Sequence, residues 1–164
     1  MSKKIIIWLE DKPELNQKVE EILKTKFELV ICNNLKQFGD AVNRYSSTPE
    51  LVAGFVLDVL IETEDLSDLD MPLITTNKGH DTGERVLRNY IRNADGDSPQ
   101  QDLWRQHKVL MLTSLSKLYF NSHYRNIIES QNNNGDHTVW LSKIDKDGGK
   151  VEAEKNIIYW TKSL

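Results

Sequence analysis

The sequence predicts a three-layer α/β protein built on a five-stranded parallel sheet, and three observations lead there. Short apolar runs rich in β-branched residues alternate with longer segments whose apolar residues recur at helical spacing. The runs lack the in–out alternation of a half-exposed strand, so they read as strands covered on both faces. Each of the five runs precedes a helical segment, the pattern that right-handed crossovers wind into a parallel sheet.

The elements follow in order. KIIIWL (4–9) is the first strand. Pro13 suits the first turn of a helix, and Leu15, Val19, Ile22 and Leu23 keep helical spacing to about Lys26. FELVIC (27–32) is the second strand, and NLKQFGDAVNRY (34–45) a helix with Leu35, Phe38, Ala41, Val42 and Tyr45 on one side. LVAGFVLD (51–58) is the third strand, and DTGERVLRNYIRN (81–93) a helix with Val86, Leu87, Tyr90 and Ile91 inward. HKVLMLTS (107–114) precedes a helix over about 117–130, and HTVWLSK (137–143) precedes a closing helix over 150–163. Five such units favour the flavodoxin-like strand order 2-1-3-4-5. The chain reads as one domain, 1–164, with long loops at about 59–80 and 94–106.

Composition narrows the function. A net charge of −4 and no basic tail argue against direct nucleic-acid binding, which rests on Lys and Arg neutralising phosphates. No apolar run is long enough to span a membrane, and the first run is too short for a signal peptide. The single cysteine, Cys32, sits in an apolar run and reads as a buried, inert thiol. A cytoplasmic protein fits these features.

The chemistry lies at the strand ends. In an open parallel sheet, ligands bind outside the carboxyl ends of the strands, at the point where strand order reverses. The first strand ends in Glu10-Asp11, the third in Asp58, the fourth in Thr113-Ser114 and the fifth in Ser142-Lys143. Three carboxylates on one crevice repel unless a cation compensates them, and Mg²⁺ is the hard cation that oxygen ligands and a phosphate oxygen suit. With Lys143 and the Thr113 hydroxyl nearby, the set describes a pocket for a small dianion beside a nucleophilic carboxylate. No phosphate-binding glycine loop follows the first strand. A haloacid-dehalogenase-type phosphatase would need a second aspartate where Leu60 stands.

These segments, in this order, resemble the receiver domain of two-component response regulators over nearly the whole chain. IIIWLEDKPE resembles that family's acidic pair with its following proline, and FVLD its phosphoacceptor strand. TGERVLRNYIR is similar to its third helix, VLMLTS to the strand ending in the switch Thr/Ser, and VWLSK to the strand ending in lysine. The resemblance implies that Asp58 accepts a phosphoryl group from a histidine kinase or histidine phosphotransfer protein. It implies that Asp11 and Asp58 ligate Mg²⁺, with Glu10 acting through a water and Leu60 through its backbone carbonyl. It further implies that Thr113 and Lys143 hold the phosphoryl group and that Thr113 and Trp140 form the switch. Glu10 stands where the family usually has Asp, and Ile144 where it has proline. DLDMP (68–72) resembles a displaced family motif, but Asp70 ends no buried strand and is not taken as the acceptor.

The resulting expectation is a stand-alone receiver whose catalysis goes no further than its own phosphorylation and dephosphorylation, with no separate output domain. It would signal by changing the surface it offers a downstream protein. The alternative is a receiver-like docking module that does not use phosphate. Taken alone, Asp11 could merely cap a helix, and His80, His107, His123 and His137 show no metal-ligand spacing. The 59–80 loop is expected to flank the pocket and contribute to partner choice, and shortening it between Glu62 and Asn77 to leave folding intact.

Overall fold

A computed structural model describes residues 3–113, 138–142, 157–158 and 160–164, with the backbone alone at Leu15, Thr113 and 138–142. Seven strands occur among them: β1 (Ile5–Leu9), β2 (Glu28–Cys32), β3 (Val52–Asp58), β4 (Asp65–Leu66), β5 (Met71–Thr75), β6 (Lys108–Thr113) and β7 (Thr138–Ser142). The main sheet is parallel with order β2-β1-β3-β6-β7, which is the order the sequence predicts. Strand alternation divides its side chains between two faces. Ile5, Ile7, Leu9, Phe55, Leu57, Val109 and Met111 meet helix α2 (Leu35–Tyr45) and the helix that follows β5. Ile6, Trp8, Val56, Leu110 and Leu112 meet helix α1 (Gln17–Lys24), Ile157 and Trp160. Burial of both faces explains why the strands read as unbroken apolar runs.

Local chemistry modifies two predicted helices. The first helix opens as a 3₁₀ turn, Pro13–Asn16, and ends at Lys24. The third begins as α3 (Thr82–Arg85) and continues as a π-helical turn, Val86–Ile91, with Arg92 N–H donating to Leu87 O at 2.9 Å. Asn93, at φ 50°, ends it. The predicted helix over 117–130 lies outside the described residues, whereas residues 157–158 and 160–163 of the closing segment are helical.

The predicted loop at 94–106 is a run of turns pinned from below. Arg92 is buried, and its Nη1 donates to the carbonyls of Trp104, Arg105 and His107 at 3.3, 2.9 and 2.9 Å. Trp104 is fully buried and stands edge-on to Phe55 and His107. His107 Nε2 lies 3.1 Å from Pro49 O, so the neutral tautomer protonated at Nε2 donates there. Its Nδ1 is buried with no hydrogen-bond partner.

Burial lowers the His107 pKa from 6.5, and the nearby Arg92 and Lys4 charges add to that against the Pro49 bond. A base whose folded pKa is depressed keeps its contribution above its unfolded pKa and loses it as pH falls toward the folded value. Melting temperature is therefore expected to fall more steeply below about pH 6.5 for wild type than for His107→Gln. Parallel curves for the two proteins would show that His107 is not the titrating group.

Candidate functional site

The site begins with where β1 and β3 stop. Leu9 pairs with Leu57, and one step further on Glu10 N–H still donates to Cys32 O at 3.0 Å. Glu10 and Asp58 therefore emerge together at the carboxyl edge between adjacent strands, where strand order reverses on either side of β1. Cys32 at the neighbouring strand end is buried, and burial pushes its thiol up to about 12, so it is inert.

Glu10, Asp11 and Asp58 each offer one oxygen, and these oxygens all lie within 4.8 Å of one another. Glu10 and Asp58 are buried, 1% and 3% exposed, and Asp11 is half-buried. Asp58 Oδ1 accepts the N–H of Leu60 at 3.3 Å, which turns the carboxylate over the start of the following segment. Glu10 Oε1 accepts the N–H of Lys12 at 3.2 Å and its Oε2 the amide of Asn16 at 2.8 Å. Lys12, not Asp11, occupies the N-cap position of the Pro13–Asn16 turn. A compact set of hard oxygen donors fits a divalent cation such as Mg²⁺. Among the described residues no histidine joins the cluster.

The other predicted participants fall at the same edge in register, though less of them is described. Asp58 pairs with Leu112, so Thr113 stands one step beyond it on β6, and Thr113 pairs with Ser142 on β7. The side chains of Thr113 and Trp140, and the whole of Lys143, lie outside the described residues. Asp70 is exposed in a left-handed turn (φ 60°) between β4 and β5 and does not join the acidic cluster.

Helix α3 approaches the site more closely than its sequence announces. Gly83 N–H donates to Val59 O at 3.2 Å, and a Cβ on Gly83 would lie 2.1 Å from Asp58 O and 2.9 Å from Val59 Cα. The buried Thr82 hydroxyl donates to Ile61 O at 2.7 Å, fixing the backbone that leaves Asp58. In an open helix, Gly→Ala is stabilising by about 1 kcal/mol. Here the clash reverses the sign, and Gly83→Ala is expected to cost about 3 kcal/mol or more in urea unfolding. Stability equal to wild type would mean that α3 does not bear on the Asp58 backbone. Next to it, burial and the Asp81 charge push the Glu84 carboxyl up to about 7, so this turn carries less negative charge at neutral pH than its composition implies.

The 59–80 segment is not the open loop expected from its acids. It carries the antiparallel pair β4–β5 and sends Ile61, Leu66, Leu69 and Met71 into the main core beside α2. Gly39 of α2 makes room for it, since a Cβ there would lie 3.1 Å from Leu69 Cδ2. Its neck closes tightly: Gly79, at φ 84°, packs on Ile61 and Glu62, and Asn77 N–H donates to Asp81 Oδ1 at 2.7 Å.

No known family pattern and no curated protein matches the sequence. Solved structures do match. A bacteriophytochrome response regulator is similar over 96% of this chain and 94% of its own, at 17% identity and a TM-score of 0.53. The receiver domain of Francisella response regulator 1452 is similar over 99% of this chain and 100% of its own, at 13% identity and TM-score 0.52. The Vibrio cholerae chemotaxis protein CheY4 is similar over 95% and 99%, at 13% identity and TM-score 0.51. The chain has the fold of a response-regulator receiver domain. Among the described residues no helix is long and apolar enough to cross a membrane.

Proposed function

We propose that the chain is a cytoplasmic receiver that takes a phosphoryl group on Asp58 from a phosphohistidine of a kinase or phosphotransfer protein. One observation carries this reading: three carboxylates, two of them buried, converge within 4.8 Å where strand order reverses. Asp11, Asp58 and the Leu60 carbonyl would hold Mg²⁺, with Glu10 behind them. When bound, Mg²⁺ supplies positive charge against the transferring phosphoryl oxygens.

The chain's own residues do the rest. A carboxylate oxygen of Asp58 attacks phosphorus in line with the phosphorus–nitrogen bond of the donor. That bond breaks with its electron pair leaving on the imidazole, and an acyl phosphate forms on Asp58. The Leu60 N–H holds Asp58 Oδ1 and so orients the attacking carboxylate. The Thr113 hydroxyl and Lys143 ammonium would hold the phosphoryl group, and Thr113 with Trp140 would carry its presence to the surface that a downstream protein reads.

A small acyl phosphate tests the reading without a cognate donor. Wild type is expected to become labelled with Mg²⁺ and to lose most of the labelling in a chelator. Labelling indifferent to Mg²⁺ would contradict the metal's part. A folded protein that is never labelled would point to the phosphate-independent docking module.

A further inference from the structure

Asn16 precedes α1 at its N-cap position, where an asparagine ordinarily accepts a hydrogen bond from the helix's first turn. It does not do so here: no side-chain capping bond is made. Its amide instead donates to Glu10 Oε2 at 2.8 Å, and both residues are buried, 5% and 1% exposed. Strand alternation explains the meeting. Ile6 and Trp8 face α1, and Glu10 continues their side of β1, so its side chain runs toward the start of that helix. Val56 faces the same way, and Asp58 continues it toward the same side.

A glutamate carries one more methylene than an aspartate, hence one more rotatable bond at the site. Left to itself, that arm can swing. Here it is fixed at both oxygens, by the Lys12 N–H at 3.2 Å and by Asn16. Hydrogen bonds to a charged acceptor are the strong ones, and partners of this kind orient groups around a metal. Asn16 thus forgoes a helix cap to pin the one carboxylate of the cluster with the longest reach.

We propose that Asn16 is a positioning residue for the cation site: by holding Glu10 Oε2 it fixes the carboxylate that backs Asp11 and Asp58. The proposal rests on the metal reading given above. Calorimetric titration of Mg²⁺ into wild type, Asn16→Leu, Glu10→Ala and the double variant tests it, with circular dichroism reporting the fold of each. Leucine matches asparagine in size but donates nothing. The expected result is about tenfold weaker Mg²⁺ binding by Asn16→Leu. In the Glu10→Ala background the same substitution is expected to change affinity by less than about twofold, because its target is gone. Wild-type affinity in Asn16→Leu, or an equal loss in both backgrounds, overturns the positioning role while leaving the cation site standing. Wild type that takes up no Mg²⁺ overturns the cation site and this inference together. If the leucine variant does not fold, Asn16→Ser, too short to reach Glu10 with its hydroxyl, carries the same comparison.

Discussion

Excising residues 62–77 and closing Ile61 onto Lys78 is expected to leave a chain that does not fold cooperatively at room temperature. The sequence points the other way, because Glu62, Glu64, Asp65, Asp68 and Asp70 make the stretch look like a solvated loop. The structure reverses that expectation. Leu66 is fully buried, Leu69 and Met71 are 2% and 6% exposed, and all three belong to the same core as Phe38, Phe55 and Tyr90. Truncating one large buried aliphatic side chain costs about 2–5 kcal/mol. Removing three therefore costs on the order of 6–15 kcal/mol, comparable with the whole stability of an ordinary domain. The excision also strips the cover from Gly39, whose missing side chain exists to admit Leu69. Leu66→Ala is the milder form of the experiment, with an expected loss of about 2–5 kcal/mol in urea unfolding. A cooperative melt of the excised protein near the wild-type temperature would show that the segment only decorates the core.

The contrast shows where the sequence speaks and where it is silent. β1, β3 and β6 are legible because burial on both faces leaves a continuous apolar run, and each is shorter than an ordinary helix. Sheet order follows because crossover handedness leaves few alternatives for five such units. The acidic cluster is legible for a simple reason: Glu10, Asp11 and Asp58 close strands, and strand ends share one edge in a parallel sheet.

The π-helical turn at 86–91 is not legible, since Val86, Leu87, Tyr90 and Ile91 satisfy an ordinary helical period equally well. β4 is only two residues long, β5 buries only Met71 and shows no regular alternation, and the acids between them mask the three buried apolar residues. A signal was available in Gly39, a glycine inside a helix whose only gain is close approach. Arg92 could not have been assigned from sequence, because the carbonyls it holds are assembled only by the turns around Trp104. Asn16 misleads in a different way: an asparagine before a helix reads as its cap, and here the side chain is spent on Glu10.

The central claim is that Asp58 accepts the phosphoryl group, and one substitution tests it directly. Asp58→Asn keeps nearly the same shape, and the amide can still accept the Leu60 N–H. It is a far poorer nucleophile, and it removes one of three crowded charges, so the fold should survive with undiminished stability. Wild type, Asp58→Asn and Asp70→Asn are treated with a small acyl phosphate in Mg²⁺, and the labelled residue is mapped by mass spectrometry. The account predicts label on Asp58 in wild type and in Asp70→Asn, and none in a folded Asp58→Asn. Equal labelling of Asp58→Asn, or label mapped to Asp70, would contradict it.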